Sequence, residues 1–288
     1  MIYLLLSILA STILFVIFKL FERYKVSTLQ AIVVNYVVAC CYGLLSYDAP
    51  IKIETIIQSN WFYGAIALGF LFISIFNVMA LTAQRNGLSV ASVAGKMSVV
   101  VPVIFGIYAY NESLGIQKII GILLALIAVY LTSIKSKSGL SINKKGLILP
   151  ILLFIGSGII DTSIKFIETN YIEKNGIPIF SATIFSFAAL IGITILIIKA
   201  LKKQFKFDVK SIFGGIILGI VNYYAIYFLL KALQYEGAES STLFTINNVA
   251  IVMLSTILGL ALFKEKLLIK NWIGIALAVI SIILVTLS

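Results

Sequence analysis

The sequence predicts an all-α membrane protein with ten transmembrane helices arranged as two inverted five-helix repeats. Three observations lead to this fold class: the composition, ten apolar stretches of spanning length, and repetition between the two halves of the chain. The 288 residues are 61% hydrophobic and 11% charged, with a mean hydropathy of +1.12. A soluble domain is about half apolar and about a quarter charged. So much apolar surface requires lipid as solvent, so the bilayer is the first predicted partner.

Ten apolar stretches are long enough to cross a membrane. A helix needs about 20 apolar residues to span a hydrocarbon core of about 30 Å, and long apolar runs without alternation are helices because lipid offers no partners to backbone groups. The first stretch lacks a basic start and a small-residue cleavage site, which argues against a signal peptide. The predicted spans are roughly 2–20, 29–47, 61–82, 88–110, 114–134, 147–167, 178–198, 212–232, 241–263 and 269–287.

A basic linker divides the chain. Residues 135–145 carry lysines, serines and glycine without any acid, and they separate the first repeat, residues 1–134, from the second, residues 146–288. Two prolines make local predictions. Pro102 lies inside span four and is expected to kink it or free a carbonyl there, whereas Pro178 falls where the first turn of a helix tolerates proline.

The two halves repeat each other at matched positions. Five spans per half is an odd number, so the second half must enter the membrane in the opposite direction, which is an inverted repeat. The matched residues early in each half are Ser11, Lys19 and Glu22 with Ser157, Lys165 and Glu168. The matched residues late in each half are Glu112, Leu114, Gly121 and Ala125 with Glu265, Leu267, Gly274 and Ala278.

On these features the chain resembles the drug/metabolite transporter superfamily, in particular its EamA-type members, over essentially its whole length. The resemblance implies a secondary transporter for a small polar or amphipathic metabolite that works by alternating access. It also implies that spans one to four and six to nine line the cavity, with spans five and ten at the periphery. The chain departs from the pattern at Ser255, which stands in the place of the second-half proline. The motif residues are Ala80, Leu81, Pro102, Glu112, Gly121, Ala232, Leu233, Glu265 and Gly274.

Two charged residues fall inside spans, Lys96 in span four and Asp161 in span six. A charge facing lipid costs several kcal/mol, so such residues normally face the bundle interior or water. At 1.5 Å per residue, Lys96 lies about 12 Å and Asp161 about 21 Å into its span. A direct ion pair would therefore require Lys96 to stretch, or a substrate or water to bridge. We predict that Lys96 binds substrate; for Asp161, an ion pair with Lys165 one turn away is an equally weighted alternative.

Polar side chains accompany the two charges. Ser89, Ser92 and Lys96 share one helical face, and further amides, hydroxyls and tyrosines occur in spans three, eight and nine. For each one taken singly, a hydrogen bond between helices worth about 1 kcal/mol is the simpler interpretation; together they suit a small-molecule cavity. The predicted substrate-binding residues are Lys96, Ser92, Asn77, Asp161, Asn222, Tyr223, Tyr227, Thr245 and Asn248.

The starts of spans five and ten carry two structural motifs. Glu112 and Glu265 stand at the short turns before these spans, where a carboxylate can accept from the free N–H groups of a helix start. The Gly-x-x-x-Ala pairs that follow allow close helix approach. They either pack the two halves together or form a dimer seam, so a homodimer through spans five or ten is a candidate assembly.

Enzyme classes find no support in the sequence. The chain contains no histidine, which excludes zinc sites of the H-E-x-x-H type. Val90 occupies the position of a required Walker glycine, and Asp161 has no second intramembrane aspartate for a protease dyad. We therefore predict no enzyme activity, no cofactor and no metal. The alternatives are a broad-specificity exporter of cationic drugs, which Lys96 would repel, and a membrane protein without transport activity.

The net charge of +11 is explained by membrane orientation and not by nucleic-acid binding, because most Lys and Arg residues sit in short gaps between spans. The gaps after the odd-numbered spans hold most of them. Basic residues in short loops favour the cytoplasmic side. We therefore predict a multi-pass plasma-membrane protein with both termini outside the cytoplasm, although the resemblance implies cytoplasmic termini more often.

Overall fold

The computed structural model describes residues 2–47, 50–109, 115–133, 144–172, 176–233 and 240–286, and all regular secondary structure in these ranges is helical. The helices are α1 (Ile2–Arg23), α2 (Thr28–Leu45), α3 (Ile53–Ile57), α4 (Phe62–Asn86), α5 (Leu88–Met97), α6 (Val100–Ala109), α7 (Ile116–Ser133), α8 (Lys144–Tyr171), α9 (Ile177–Leu201), α10 (Val209–Leu233), α11 (Ser240–Phe263) and α12 (Ile269–Thr286).

The predicted all-α membrane fold is confirmed. Within the described ranges, 8 helical segments are long and apolar enough to cross a membrane, and two shorter apolar helices, in α7 and α12, complete the predicted set. Predicted span four corresponds to α5 and α6 together. The short helix α3, between predicted spans two and three, is an addition that the sequence pattern did not indicate.

Contacts between helices follow the order of two inverted repeats. α1 packs on α10 as α8 packs on α4, and α2 packs on α10 as α9 packs on α4. Three further pairs join equivalent helices of the two halves: α2 with α9, α5 with α11, and α7 with α12. Each contact between a helix of the first half and a helix of the second half thus recurs between their two repeat equivalents, as an inverted repeat requires.

The helices α7 and α12 form a pair whose most extensive contacts are with each other. A Cβ atom on Gly274 would lie 2.9 Å from the backbone nitrogen of Thr132, and Ala125 and Ala278 are fully buried. The Gly-x-x-x-Ala faces thus pack the halves together within one chain. These faces are therefore not free to form a dimer seam. A homodimer through other surfaces of α7 or α12 stays a prediction.

Prolines occur near the starts of α8 and α9. Pro178 lies in the first turn of α9, as predicted. α8 begins at Lys144, so the last two residues of the predicted linker are helical, while residues 134–143 lie outside the described ranges. Pro150 lies inside α8 and offers no N–H to the carbonyl of Gly146. The Asn86 amide of α4 donates to that carbonyl at 2.8 Å.

The largest apolar core lies where α1, α2, α4 and α9 meet. Phe18 and Tyr36 are fully buried there, and the ring of Phe18 meets that of Phe76 edge-on at 5.3 Å. The Tyr36 hydroxyl donates to the carbonyl of Phe72 at 2.8 Å, so its polar atom is satisfied as buried tyrosine requires. This core fixes α1 and α4 next to α5.

Candidate functional site

Predicted span four is interrupted near its middle. α5 ends at Met97 and α6 begins at Val100. Pro102 has no N–H for the carbonyl of Ser98, which instead accepts from the nitrogen of Val101 at 2.9 Å in a tighter turn. Pro102 was predicted to kink the span or free a carbonyl there: the helix is interrupted at residues 98–99, but the carbonyl of Ser98 is not free, because Val101 donates to it.

Lys96 lies in the last turn of α5, directly before this break. A helix C-terminus favours a cation, so the break itself gives a reason for lysine at this depth. The side chain is half-buried. Its ammonium group forms no ion pair within 4.0 Å in the part of the chain that the structure describes.

Ser98 connects the break to α8. Its hydroxyl oxygen lies 2.6 Å from the carbonyl oxygen of Gly95 and 3.3 Å from Oδ2 of Asp161. One hydroxyl proton serves either acceptor, so Ser98 can alternate between its own helix and the carboxylate. α8 approaches closely because Gly158 has no side chain: a Cβ atom there would lie 3.0 Å from the Ser98 carbonyl oxygen.

The structure brings Lys96 and Asp161 to the same break. The two charges interact electrostatically, yet no ion pair within 4.0 Å joins them in the described ranges. The Asp161 residue is exposed at the surface of the protein. The alternative partner Lys165 is also exposed and does not pair with Asp161 within 4.0 Å; the ion pair that the described ranges contain is Lys19 with Glu22. Asp161 therefore has Ser98 and Lys96 as its polar neighbours.

The rest of the predicted stripe in span four is used in packing. Ser92 is fully buried, and its hydroxyl donates to the carbonyl of Ser89 at 3.1 Å. The Ser89 hydroxyl donates to Oε2 of Glu265 at 3.2 Å. Ser89 and Ser92 are hydrogen-bonded within this packing, whereas the Lys96 ammonium group forms no hydrogen bond to a described residue, so the three residues do not act as one polar surface.

Glu265 holds the start of α5, which corrects the expectation that it serves the helix it precedes. Its Oε1 accepts from the backbone nitrogen of Leu88 at 2.6 Å, so it caps a helix of the other half. Gly87 makes this approach possible, since its φ is +108° and a Cβ atom there would lie 2.8 Å from Oε1. Glu112, the counterpart, lies outside the described residues.

Predicted site residues on α4 and α10 already have partners. The Asn222 amide donates to Oδ1 of Asn35 at 3.2 Å, and the Asn77 amide donates to its own helix, to the carbonyl of Ile73, at 2.7 Å. Both interactions match the simpler reading of polar residues as connections within and between helices.

The predicted tyrosines belong to an aromatic cluster on α2 and α10. The ring of Tyr223 stacks on Tyr42 at 4.9 Å and on Tyr227 at 6.1 Å. Its hydroxyl lies 2.6 Å from the hydroxyl of Ser46. Offset and stacked ring pairs of this kind stabilise a helix interface. The structure therefore joins these tyrosines to α2 and not to the break that carries Lys96.

Sequence reasoning missed Asn247 on α11. This side chain is 1% exposed, and neither its Nδ2 nor its Oδ1 has a hydrogen-bond partner among the described residues. An unsatisfied buried amide costs about 1–3 kcal/mol, so Asn247 is a candidate to meet a ligand. The available signal was the adjacent Asn248, 3% exposed, which was predicted. The side chain of Thr245 lies outside the described residues.

Comparisons with known proteins extend over the whole chain. A model of the EamA-like transporter family matches residues 1–134 and 144–287. A protein of Haemophilus influenzae described as uncharacterized is 30% identical over 274 residues, covering 93% of this chain and 92% of that protein. A crystal structure with 16% sequence identity superposes with a TM-score of 0.57, covering 99% of this chain and 96% of the other, and supports the fold alone.

Proposed function

The chain belongs to the EamA-like transporter family, and from this premise we propose that it is a secondary transporter moving a small polar or amphipathic metabolite across the plasma membrane by alternating access. The observation that carries the proposal is the interrupted helix: at its break Ser98 lies 3.3 Å from Asp161 of α8, and Lys96 lies in the turn directly before it. In secondary transporters, interrupted helices turn their ends toward substrate near the bilayer midplane.

The charges at the break indicate the substrate class. The Lys96 ammonium would bind an anionic group, such as a carboxylate or phosphate, that is desolvated on entering the bundle. Asp161 and Ser98 would hold a polar or cationic group at the other end of the same molecule. Asn247 and Asn248 of α11 are candidate partners for the remaining polar atoms, because α11 packs against α5.

Contacts at one end of the bundle support alternating access. We call this end, with the loops after α1, α4, α9 and α11, the basic end. Here Lys19 donates to the carbonyl of Gln84 at 2.5 Å, and the Gln84 amide donates to the carbonyl of Phe18 at 3.0 Å. α1 is thereby joined to α4, while Glu265 joins the α11–α12 loop to α5.

The opposite end shows a different arrangement in the described ranges. α1 contacts α4 and α5 at the basic end, whereas the equivalent pairs, α8 with α10 and α8 with α11, make little or no contact among described residues. Lys165, the counterpart of Lys19, is exposed. This asymmetry supports a conformation that is closed at the basic end, with the break reached from the opposite end.

The transport proposal is tested by flux in proteoliposomes. A thermal-shift screen of small anionic and zwitterionic metabolites against purified protein would first select stabilising compounds. We expect at least one to accumulate in proteoliposomes and to exchange against its labelled form. Accumulation of only cationic drugs would favour the alternative exporter function, and absence of flux for every stabilising compound would favour a membrane protein without transport.

The orientation follows from the lysines and arginines of the basic end, among them Arg23, Lys25, Lys202, Lys203 and Lys206. Since basic short loops face the cytoplasm, both termini would lie outside it. A reporter that is active only in the cytoplasm should stay silent when fused after Ser288 and be active when inserted in the loop between α9 and α10. The reverse pattern would refute this orientation.

A further inference from the structure

A pocket of about 390 Å³ lies at the basic end, away from the break that carries Lys96. It is formed by the loop between α1 and α2, the start of α2, the last turns of α9, and the loop between α9 and α10. Three lysines line it, Lys25, Lys199 and Lys206, and all three are exposed. None of them forms an ion pair within 4.0 Å across the ranges that the structure describes.

Hydrogen bonds between side chains and backbone groups form a frame around the pocket, and none of them involves a lysine side chain. Gln30 is only 8% exposed; its amide donates to the carbonyl of Lys206 at 2.7 Å, and its Oε1 accepts from the nitrogen of Asp208 at 3.3 Å. The nitrogen of Ser27 donates to the hydroxyl oxygen of Ser211 at 2.9 Å. Two loops far apart in the sequence are therefore held together, and with them Lys25 and Lys206.

The acidic residue of the pocket, Asp208, is already hydrogen-bonded. Oδ2 of Asp208 accepts from the Ser211 hydroxyl at 2.8 Å, and Oδ1 accepts from the backbone nitrogen of Lys210 at 3.1 Å. The hydrogen bond from Ser211 lowers the pKa of Asp208. Its carboxylate thus faces the start of α10, where negative charge is favoured. The lysines outnumber it, so the pocket keeps a net positive charge.

Apolar residues also line the pocket. Leu29, Leu196 and Phe205 border the pocket beside the lysines. Because the pocket lies where α9 ends and α10 begins, we place it at the level of the lipid headgroups. We propose that it binds an anionic phospholipid, with the phosphate between the lysine ammonium groups and an acyl chain along the apolar residues. Basic pockets between transmembrane helices recognise such headgroups, whereas general orientation of the chain needs only lysines in the loops.

Thermal unfolding in detergent with added lipid tests the proposal. We expect phosphatidylglycerol to raise the unfolding temperature by about 4 °C at saturation, and phosphatidylcholine or inorganic phosphate to raise it by less than half as much. The double variant Lys199→Gln and Lys206→Gln should lose most of the difference between the two lipids. The matched control, Lys202→Gln and Lys210→Gln, removes the same charge from the same end and should keep it.

Four results would overturn the proposal: equal stabilisation by both lipids, equal stabilisation by inorganic phosphate, an undiminished lipid effect in Lys199→Gln with Lys206→Gln, or an equal loss in the control. Gln30→Leu gives a second test, because it removes the two hydrogen bonds that Gln30 contributes to the frame without changing charge. If that variant still unfolds cooperatively, its preference for phosphatidylglycerol should fall. Lys96→Ala should keep the full preference, which separates this pocket from the proposed transport site.

Discussion

The interrupted helix pair α5 and α6 and the continuous helix α11 occupy equivalent places in the two repeats, yet they differ in almost every feature that bears on function. α5 and α6 are separated next to Pro102, and Lys96 lies at the break. α11 runs from Ser240 to Phe263 without interruption. In place of a proline it has Ser255, whose hydroxyl donates to the carbonyl of Ile251 in its own helix.

This difference shows how a repeat with common packing can hold an asymmetric site. The helices of the two halves meet equivalent partners, so the scaffold keeps its symmetry. The proline, the lysine and the aspartate are each present in one half only. Phe15 is the counterpart of Asp161, and its ring lies close enough to α5 that a Cβ atom placed on Gly95 would be 4.0 Å from it. Charges present in only one half suit a substrate whose two ends differ chemically, because a symmetric site would not distinguish those ends.

The largest expected effect follows from removing the charge that α11 lacks. Lys96→Ala should reduce transport by at least about 30-fold, since removing the charge that would contact a desolvated anionic group of the substrate costs roughly 2–5 kcal/mol. Lys96→Arg should retain part of the activity because it keeps the charge. The measurement is initial uptake in proteoliposomes at equal protein incorporation. Lys165→Ala is the matched control on an exposed lysine of α8 and should transport normally.

Asp161→Asn is expected to have the next largest effect. The amide keeps the size of the side chain and its contact with Ser98 but loses the charge that interacts with Lys96. We expect transport to fall about tenfold, which is roughly 1.4 kcal/mol. A double-mutant cycle with Lys96→Gln should give non-additive losses; strictly additive losses would mean that the two charges act on transport independently.

Loss of the cap that Glu265 gives to α5 should affect stability more than substrate binding. Glu265→Gln weakens charged hydrogen bonds worth about 1.5–3 kcal/mol, so we expect the unfolding temperature to fall by about 3–10 °C. Glu22→Gln is the control, because Glu22 is 51% exposed in its pair with Lys19 and such pairs contribute about 0–1 kcal/mol. An equal fall in both variants would contradict the assigned role of Glu265.

The smallest effect is expected from making the two equivalent helices more alike. Pro102→Ala restores an N–H that can bond the carbonyl of Ser98 and continue the helix. We expect unchanged or slightly higher stability and transport reduced only a few-fold, because Lys96 is retained while the break becomes shallower. Hydrogen exchange should report slower exchange at residues 98–102 than in the wild type. Unaltered exchange there would show that Pro102 does not cause the interruption.

The sequence predicted the fold well, because hydropathy and the repeat both act through one-dimensional patterns. It also indicated Lys96 and Asp161 as candidate site residues, because a charged side chain inside a span normally faces the bundle interior or water; their contact with substrate stays a prediction. It did not predict that Glu265 would cap α5, because that contact joins residues far apart in the chain. The stacking of Tyr223 on Tyr42 escaped prediction for the same reason, as helix rotation is set by packing.

From straight helices of uniform rise, we expected Lys96 and Asp161 to lie about 9 Å apart in depth without a direct ion pair. No ion pair within 4.0 Å joins them in the described ranges, which agrees with this expectation. Ser98, two residues after Lys96, nevertheless lies 3.3 Å from Asp161. The interruption at Ser98 and the close approach permitted by Gly158 bring α8 to the break, and neither can be obtained from spacing alone. Asn247 was missed because the sequence does not show which of the two adjacent amides, Asn247 or Asn248, lacks a hydrogen-bond partner.

We expect Lys96, at the break between α5 and α6, to contact the transported molecule. Isothermal titration of the stabilising metabolite against purified wild-type protein and Lys96→Gln tests it most directly, because binding is measured without the steps that follow it. We predict that the dissociation constant rises at least about 30-fold in Lys96→Gln, while the unfolding temperature without ligand stays within a few degrees of wild type. A folded Lys96→Gln protein that binds the metabolite as tightly as wild type would contradict the claim.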